Sequence, residues 1–288
     1  MSGTSSARRP SPLVMIAVYV GLVIATAIVL YPVLLVVKKA FEPGRAFALS
    51  PSPWPSSFTT EHVRDLLLAR GADGELTFLQ HALSSIAVAV ATTVVGIILA
   101  CTAAYALSRF EFPGRRTTLT MFLVVQMFPA SLLLIPLYVL LHRLALLNSL
   151  AGLVLVYSTT AIPFCVWTLK GYFDGLPREL LEAARVDGAG PFKIFWSIVL
   201  PLARPGIAVT ALFSFMTAWN EFIMASTFLT DEHKYTLPVM IQSSVGQFSA
   251  DWGKFAAGAL VTSLPVMIVF YVLQKFLVGG LTTGAVKG

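Results

Sequence analysis

Six stretches of the chain, 13–37, 82–108, 117–141, 150–173, 206–230 and 255–277, run apolar almost without interruption, and polar segments rich in Pro and Gly separate them. A helix rises roughly 1.5 Å per residue through about 30 Å of hydrocarbon, so each stretch holds the ~20 residues that a crossing needs. A seventh apolar run, 192–200, is too short to cross. The pattern predicts an all-α membrane protein with six transmembrane helices and, since the count is even, both termini on one side.

Composition agrees with the pattern. Only 12% of the 288 residues are charged and 57% are hydrophobic, whereas a soluble domain carries about 25% charged residues. The net charge of +6 does not form a basic face of the kind that binds nucleic acid, because the basic residues fall at the ends of the apolar blocks. Counted by side, Arg8, Arg9, Arg109, Arg115, Arg116, Lys170, Arg178, Arg185, Lys193, Arg204, Lys275 and Lys287 face Lys38, Lys39, Arg45, Arg64, Arg70, Arg143, Lys234 and Lys254, which is 12 against 8. The positive-inside rule then places both termini and the segment 174–205 in the cytoplasm, with Lys38 and Lys39 as contrary signals. The polar 1–12 reads as a cytoplasmic tail. The block 13–37 is longer than a signal-peptide core and reads as a retained anchor.

Two substantial loops lie on the outer side. The first, 38–81, contains the Pro-rich SPSPWPSS and predicts a small extramembrane cap. The second reads DEHKYTLPVMIQSSVGQFSADWGK. Trp54 and Trp252 suit interfacial anchoring or contact with an external protein.

Within the spans, Gly96, Ala100 and Ala104 recur every four residues and predict close approach of a second helix. Gln126 stands near Pro129 and Pro136 in span three, and Pro163 lies in span four, so both helices are expected to bend toward a cavity or for packing. Glu221 is the one acidic side chain well inside an apolar block. Its insertion cost of about 2.5 to 3.5 kcal/mol is outweighed by the rest of the span, yet it has to face protein or water. With Trp219 and Asn220 it lines a solute path, locks span five to a neighbour, or does both. Cys101 and Cys165 lie inside apolar blocks as buried thiols.

The chain has no phosphate-binding loop of the G-x-x-x-x-G-K-[ST] type, no H-E-x-x-H and no G-x-S-x-G, and its four His stand singly. A catalytic or metal site is not expected, and a single buried carboxylate is thin equipment for an ion-coupled carrier.

The segment 182–208 reads EAARVDGAGPFKIFWSIVLPLARPGIA. Pro177 is placed to start a helix. Leu180, Ala183, Ala184 and Asp187 share one shallow face flanked by Glu179 and Glu182, and Gly188 supplies a positive-φ stop. A second short helix near Pro191 carries Phe192, Phe195, Trp196 and Val199, and Pro201 and Pro205 then turn the chain into span five. The result is a rigid elbow.

Glu182-Ala183-Ala184, three residues, Gly188, nine residues, Ile198, one residue and Leu200-Pro201 resembles the signature of binding-protein-dependent ABC importer permeases. AYALSRFEFPGRR, AWNEFIMA, YTLPV, DWGKFAAGA and the terminal LVGGLTTGAVKG extend the likeness to the carbohydrate branch, and within it to the smaller permeases of maltose/maltodextrin importers. The first 80 residues match more loosely.

The resemblance implies a permease core over 82–280, with a coupling helix in the loop 174–205 between spans four and five. Glu179, Glu182, Ala183, Ala184, Asp187 and Gly188 would sit in a cleft of a separate ATPase. It implies a second permease subunit, two ATPase subunits, a periplasmic or lipid-anchored sugar-binding protein and a sugar cargo, in the bacterial inner membrane. The chain itself would bind no cofactor, ATP and Mg acting on the ATPase.

Gln242, Ser243, Ser244, Val245, Gly246, Gln247 and Phe248 resemble a loop that enters the binding protein's cleft, although the SSVGQFSA core departs from the maltose pattern. The tail 281–288, with Thr282, Thr283, Gly284 and Lys287, resembles a segment that touches the ATPases. Gln126, Trp219, Asn220 and Glu221 would line the path. Other cargoes (trehalose, another oligosaccharide, glycerol phosphate), an uncoupled channel or ion-driven carrier, and a purely structural subunit remain the alternative readings of the residues.

Overall fold

The computed structural model describes residues 11–46, 51–71, 73–246 and 250–284, with side chains through 276 in the last helix. Among them the chain is helical, with two isolated β-bridges and no strand. Four helices are long and apolar enough to cross a membrane unbroken, and six when each of two sharply bent pairs counts as one span. The chain divides into two compact units, 1–66 with 244–261 and 67–243 with 262–288.

The first unit contains α1 (Pro12–Phe41), most of α2 (Glu61–Leu68) and the segment from 244 to 261. Ser11 caps α1 by accepting from Val14 N–H. Nearly every side chain of α1 is exposed, as expected of a helix whose solvent is lipid. Its last turn is different. Lys38 and Lys39 are buried; Lys38 Nζ donates to Ser52 O at 3.0 Å and Lys39 Nζ to Gly44 O at 2.8 Å. Two cations that counted against the predicted orientation are therefore consumed inside the cap. Phe41 stacks on Phe58 with centroids 5.1 Å apart, and Gly253 lies so close to the His62 ring that any Cβ would overlap it.

The second unit is built on α3 (Thr77–Arg109), with α4 (Arg115–Met127), α5 (Leu134–Arg143) and α6 (Leu150–Asp174) following. Next come α7 (Arg178–Val186), α8 (Pro191–Ile194), α9 (Leu200–Leu202) and α10 (Arg204–Trp219). The remaining elements are α11 (Ile223–Phe228), α12 (Leu237–Gln242) and the part of α13 (Trp252–Gly284) beyond 261.

Helices α3, α6 and α10 pack against one another as the core. The small-residue row makes this possible: Ala100 and Ala104 are fully buried, and a Cβ on Gly96 would meet Ser214 Oγ at 3.3 Å. Cys101 and Cys165 are buried free thiols. On the far side, Leu237 N–H donates to Ser85 Oγ at 2.7 Å, tying α12 to α3.

Two spans differ from the sequence expectation. Span three is not a kinked helix over 117–141. α4 ends at Met127, Phe128 is extended at φ −73°, ψ 128°, and the pair turns by 97° through a short 3-10 segment. Pro129 disfavours helical geometry at the residue before it, and although Leu119 and Phe122 of α4 pack against the core, residues 123–128 before the break are exposed. By contrast α6 runs unbroken through Pro163, held between α3 and α10.

Span five is not one helix over 206–230 either. α10 stops at Trp219, and Asn220, Glu221 and Phe222 separate it from α11. At the other end of α10 the chain bends by 76° between 191–202 and 204–219. Pro205 brings no N–H to the carbonyl four residues earlier, which frees that turn.

Candidate functional site

The elbow between α6 and α10 is the most constructed polar feature of the second unit. Pro177 precedes α7, and Gly188 closes it at φ +80°. Gly188 N–H donates to Arg185 O at 3.0 Å and Ala189 N–H to Ala184 O at 2.9 Å. This paired closure satisfies carbonyls that would otherwise end the helix unbonded, and it requires a left-handed residue at position 188. Nothing lies within 4 Å of a Cβ built there, so backbone conformation alone demands glycine.

α7 is seated by Leu181, 6% exposed in the core cluster formed with Leu107 of α3, Leu169 and Phe173 of α6, and Ile194, Phe195 and Val199 beyond the elbow. Ala184 packs against the same cluster. Glu179, Leu180, Glu182, Ala183, Asp187 and Gly188 are exposed, as is Val186. The predicted shallow face is thus real but divided: Leu180, Ala183 and Asp187 point outward, with Ala184 at the edge of the seat. The aromatic run divides too. Phe195 is buried after a π-helical turn begins, while Phe192 and Trp196 stay exposed.

A second set of contacts fixes the ends of α3 and α6 under α7. Arg109 Nη2 donates to the carbonyls of Phe173 and Leu176, Ser108 Oγ donates to Asp174 Oδ1 at 2.6 Å, and Lys170 pairs with Asp174. Arg115 Nε donates to Leu107 O at 2.8 Å. Leu181 and Arg109 were not singled out from sequence. An apolar residue next to Leu180 gives no sign of which one turns inward, and the partners of Arg109 are backbone carbonyls about 65 residues away.

The membrane-embedded polar residues sort differently. Glu221 follows the end of α10; its Oε2 accepts from Tyr157 Oη at 2.7 Å and from Ala225 N–H at 3.0 Å, and its Oε1 accepts from Met224 N–H at 2.8 Å. It locks the break to α6 and caps α11, the second of the two roles read from sequence. Trp219 is buried, stacked on Phe215 at 5.5 Å, with Nε1 donating to Thr262 O at 3.0 Å. Asn220 and Gln126 are exposed.

The loop 242–248 begins in the second unit with Gln242 and Ser243 and continues in the first with Ser244, Val245 and Gly246. Asp251 N–H donates to Ser244 O at 2.9 Å, and Val245 bridges Ala250, so the loop is pinched at its base. Gln247 and Phe248 lie outside the described residues, as does Lys287. Thr282, Thr283 and Gly284 end the backbone of α13. Among the described residues no cluster of His, Cys, Asp and Glu is arranged to hold a metal ion.

A helical chain with up to six candidate spans and an exposed, glycine-stopped elbow between two of them has the architecture of a polytopic membrane protein. Residues 93–282 match the family described as binding-protein-dependent transport system inner membrane component, and the chain belongs to that family. It is similar to the galactooligosaccharides transport system permease protein GanQ of Bacillus subtilis, 37% identical over 271 residues covering 94% of each chain. It is similar to the maltose/maltodextrin transport system permease protein MalG of Salmonella typhimurium, 38% identical over 286 residues covering 94% of this chain and 95% of that one. Its fold resembles a chain of a bacterial ABC transporter involved in the import of the acidic polysaccharide alginate, with a TM-score of 0.75 at 24% identity, covering 94% of this chain and 99% of that one.

Proposed function

We propose that the chain is the permease subunit of an ATP-driven, binding-protein-dependent sugar importer of the bacterial inner membrane, with maltose/maltodextrin as cargo. It pairs with a second permease and works with two ATPase subunits and a sugar-binding protein; both of its termini and the elbow face the cytoplasm. The chain binds no cofactor, and ATP and Mg act on the ATPases. The loop 242–248 reaches the binding protein and the tail from Thr282 to Lys287 reaches the ATPases. Asn220 and Gln126 line the path, while Glu221 and Trp219 hold its wall in shape.

The observation that carries this reading is the elbow. Glu179, Glu182, Ala183, Asp187 and Gly188 are presented outward on a helix whose seat, through Leu181, and whose stop, at Gly188, are both fixed. A rigid knob welded to the ends of α3 and α6 moves with whatever grips it, so closure of an ATPase dimer around ATP biases the spans toward the outward-open state. The hydrolysis belongs to the partner.

The test is reconstitution with the neighbouring subunits. Sugar-stimulated ATP hydrolysis and uptake that both require this chain are expected, and uptake by the purified chain alone would contradict the reading.

The similarity to GanQ, 37% identical beside the 38% of MalG, supports a second reading in which the architecture is kept and the cargo is another oligosaccharide. The sugar that stimulates hydrolysis in the reconstituted complex decides between them.

A further inference from the structure

Beneath α7 lies a cleft of about 260 Å³ that shares Glu182 with the coupling face and Arg109 and Arg115 with the contacts under α7. Four of its lining residues are arginines, Arg109, Arg115, Arg178 and Arg185, and two are carboxylates, Glu111 and Glu182. The lining therefore carries 4 − 2 = +2 formal charges. Among the described residues none of the six enters an ion pair, although Lys170 and Asp174 nearby pair with each other. Burial is the largest influence on the Arg109 guanidinium; Asp174 attracts it while Arg178 and Arg185 repel it, and its Nε is buried without a hydrogen-bond partner among the described residues. Like charges gathered in a partly enclosed space repel unless an anion joins them.

The position of the cleft narrows the anion. Ser108 and Arg109 end the candidate span α3, and Arg115 begins α4, so the cleft opens where a membrane-crossing helix leaves the hydrocarbon. Lipid phosphates lie at that level, and basic pockets between spans are suited to them. Guanidinium presents a planar fork of donors that matches phosphate oxygens two at a time. Arg178 and Arg185 stand seven residues apart on α7, either side of the buried Leu181, and both are exposed at the cleft.

We propose that this cleft is a phosphate-binding site, closed by Arg178 and Arg185 over Arg109 and Arg115, that takes the phosphate of an anionic lipid headgroup or a free phosphate ion. Occupancy neutralises the repulsion under α7 and stiffens its seat. The inference goes beyond the importer reading and does not rest on it.

The experiment uses the full-length chain purified in neutral detergent. Native mass spectrometry counts phosphatidylglycerol retained against phosphatidylcholine, and calorimetry measures inorganic phosphate binding. Saturable binding of phosphatidylglycerol is expected for a headgroup site, and saturable binding of phosphate alone for an ion site. In either case Arg178→Gln and Arg185→Gln should each weaken binding about tenfold, while Arg116→Gln, an exposed arginine outside the cleft, changes it little. Size-exclusion profiles matching the parent chain show that the variants fold.

Binding of neither probe, or binding that Arg178→Gln, Arg185→Gln and Arg116→Gln affect alike, overturns the proposal. Neither readout involves ATP or sugar, so its failure leaves the importer reading standing, and failure of that reading leaves this test unchanged.

Discussion

Tyr157 Oη donates to Glu221 Oε2 at 2.7 Å, joining the middle of α6 to the break after α10. The same carboxylate accepts from Met224 and Ala225 N–H, so one side chain holds a helix pair together and starts the next helix. A carboxylate among apolar spans is tolerable because its oxygens are occupied. Tyr157→Phe should cost about 1.5 to 3 kcal/mol, the range for a hydrogen bond to a charged group. Glu221→Ala should cost more, since the cap of α11 goes with it. A double-mutant cycle read by thermal unfolding should show strong coupling, and simple additivity would contradict the assignment.

Gly188 is required by its backbone and not by crowding, since nothing lies within 4 Å of a built Cβ. Gly188→Val should therefore strain the stop by about 1 to 2 kcal/mol, whereas Gly188→Asn, a residue that visits left-handed geometry, should be much milder. In the assembled importer the Val variant is expected to keep basal hydrolysis and lose sugar-stimulated uptake. Equal behaviour of Val and Asn would show that conformation at 188 is not what matters.

Leu181 seats α7 in the core. Leu181→Ala should loosen the seat by about 2 to 5 kcal/mol. The expected result is a permease that still assembles but couples hydrolysis to uptake less tightly than the parent. Full coupling in this variant would mean that the rigidity of the seat is unimportant.

Several of these features are legible in the chain itself. Gly96, Ala100 and Ala104 announce a close helix contact by spacing alone, and Gly188 announces a stop, because each follows from geometry local to one helix. The path of spans three and five is less legible. Pro129 and Pro163 look alike in sequence, yet one accompanies a 97° break and the other leaves α6 whole. The difference lies in the surroundings: Pro163 is buried in α6 between α3 and α10, whereas residues 123–128 before Pro129 are exposed. The burial of Trp219 is not legible either, because nothing near it in the chain points to its acceptor, Thr262. The staple from Arg109 to the carbonyls of Phe173 and Leu176 likewise depends on packing between distant segments.

Glu42 gives the cap of the first unit a pH dependence. Burial pushes its carboxyl upward, but donors from Ser56 N–H and Oγ, with the charges of Lys38 and Lys39, outweigh this and leave it below its ordinary value of 4.5. A depressed carboxylate stabilises the folded state above its unfolded pKa, and that contribution is lost as pH falls through the folded value. Limited proteolysis of the segment 42–58 should therefore accelerate once pH drops below about 4.5. Glu42→Gln should be cleaved faster at neutral pH and respond less to acid, and an unchanged acid response would contradict the assignment.

The account turns on whether the outward face of α7 meets an ATPase. The direct measurement is cysteine crosslinking from Ala183→Cys, on that exposed face, to cysteines placed across the ATPase surface in intact membranes. Crosslinks confined to one groove of the ATPase, with Ala183→Cys closed to impermeant thiol reagents added from outside the cell, are the expected result. Labelling of that cysteine from the outside, or crosslinks to no nucleotide-hydrolysing partner, would contradict it.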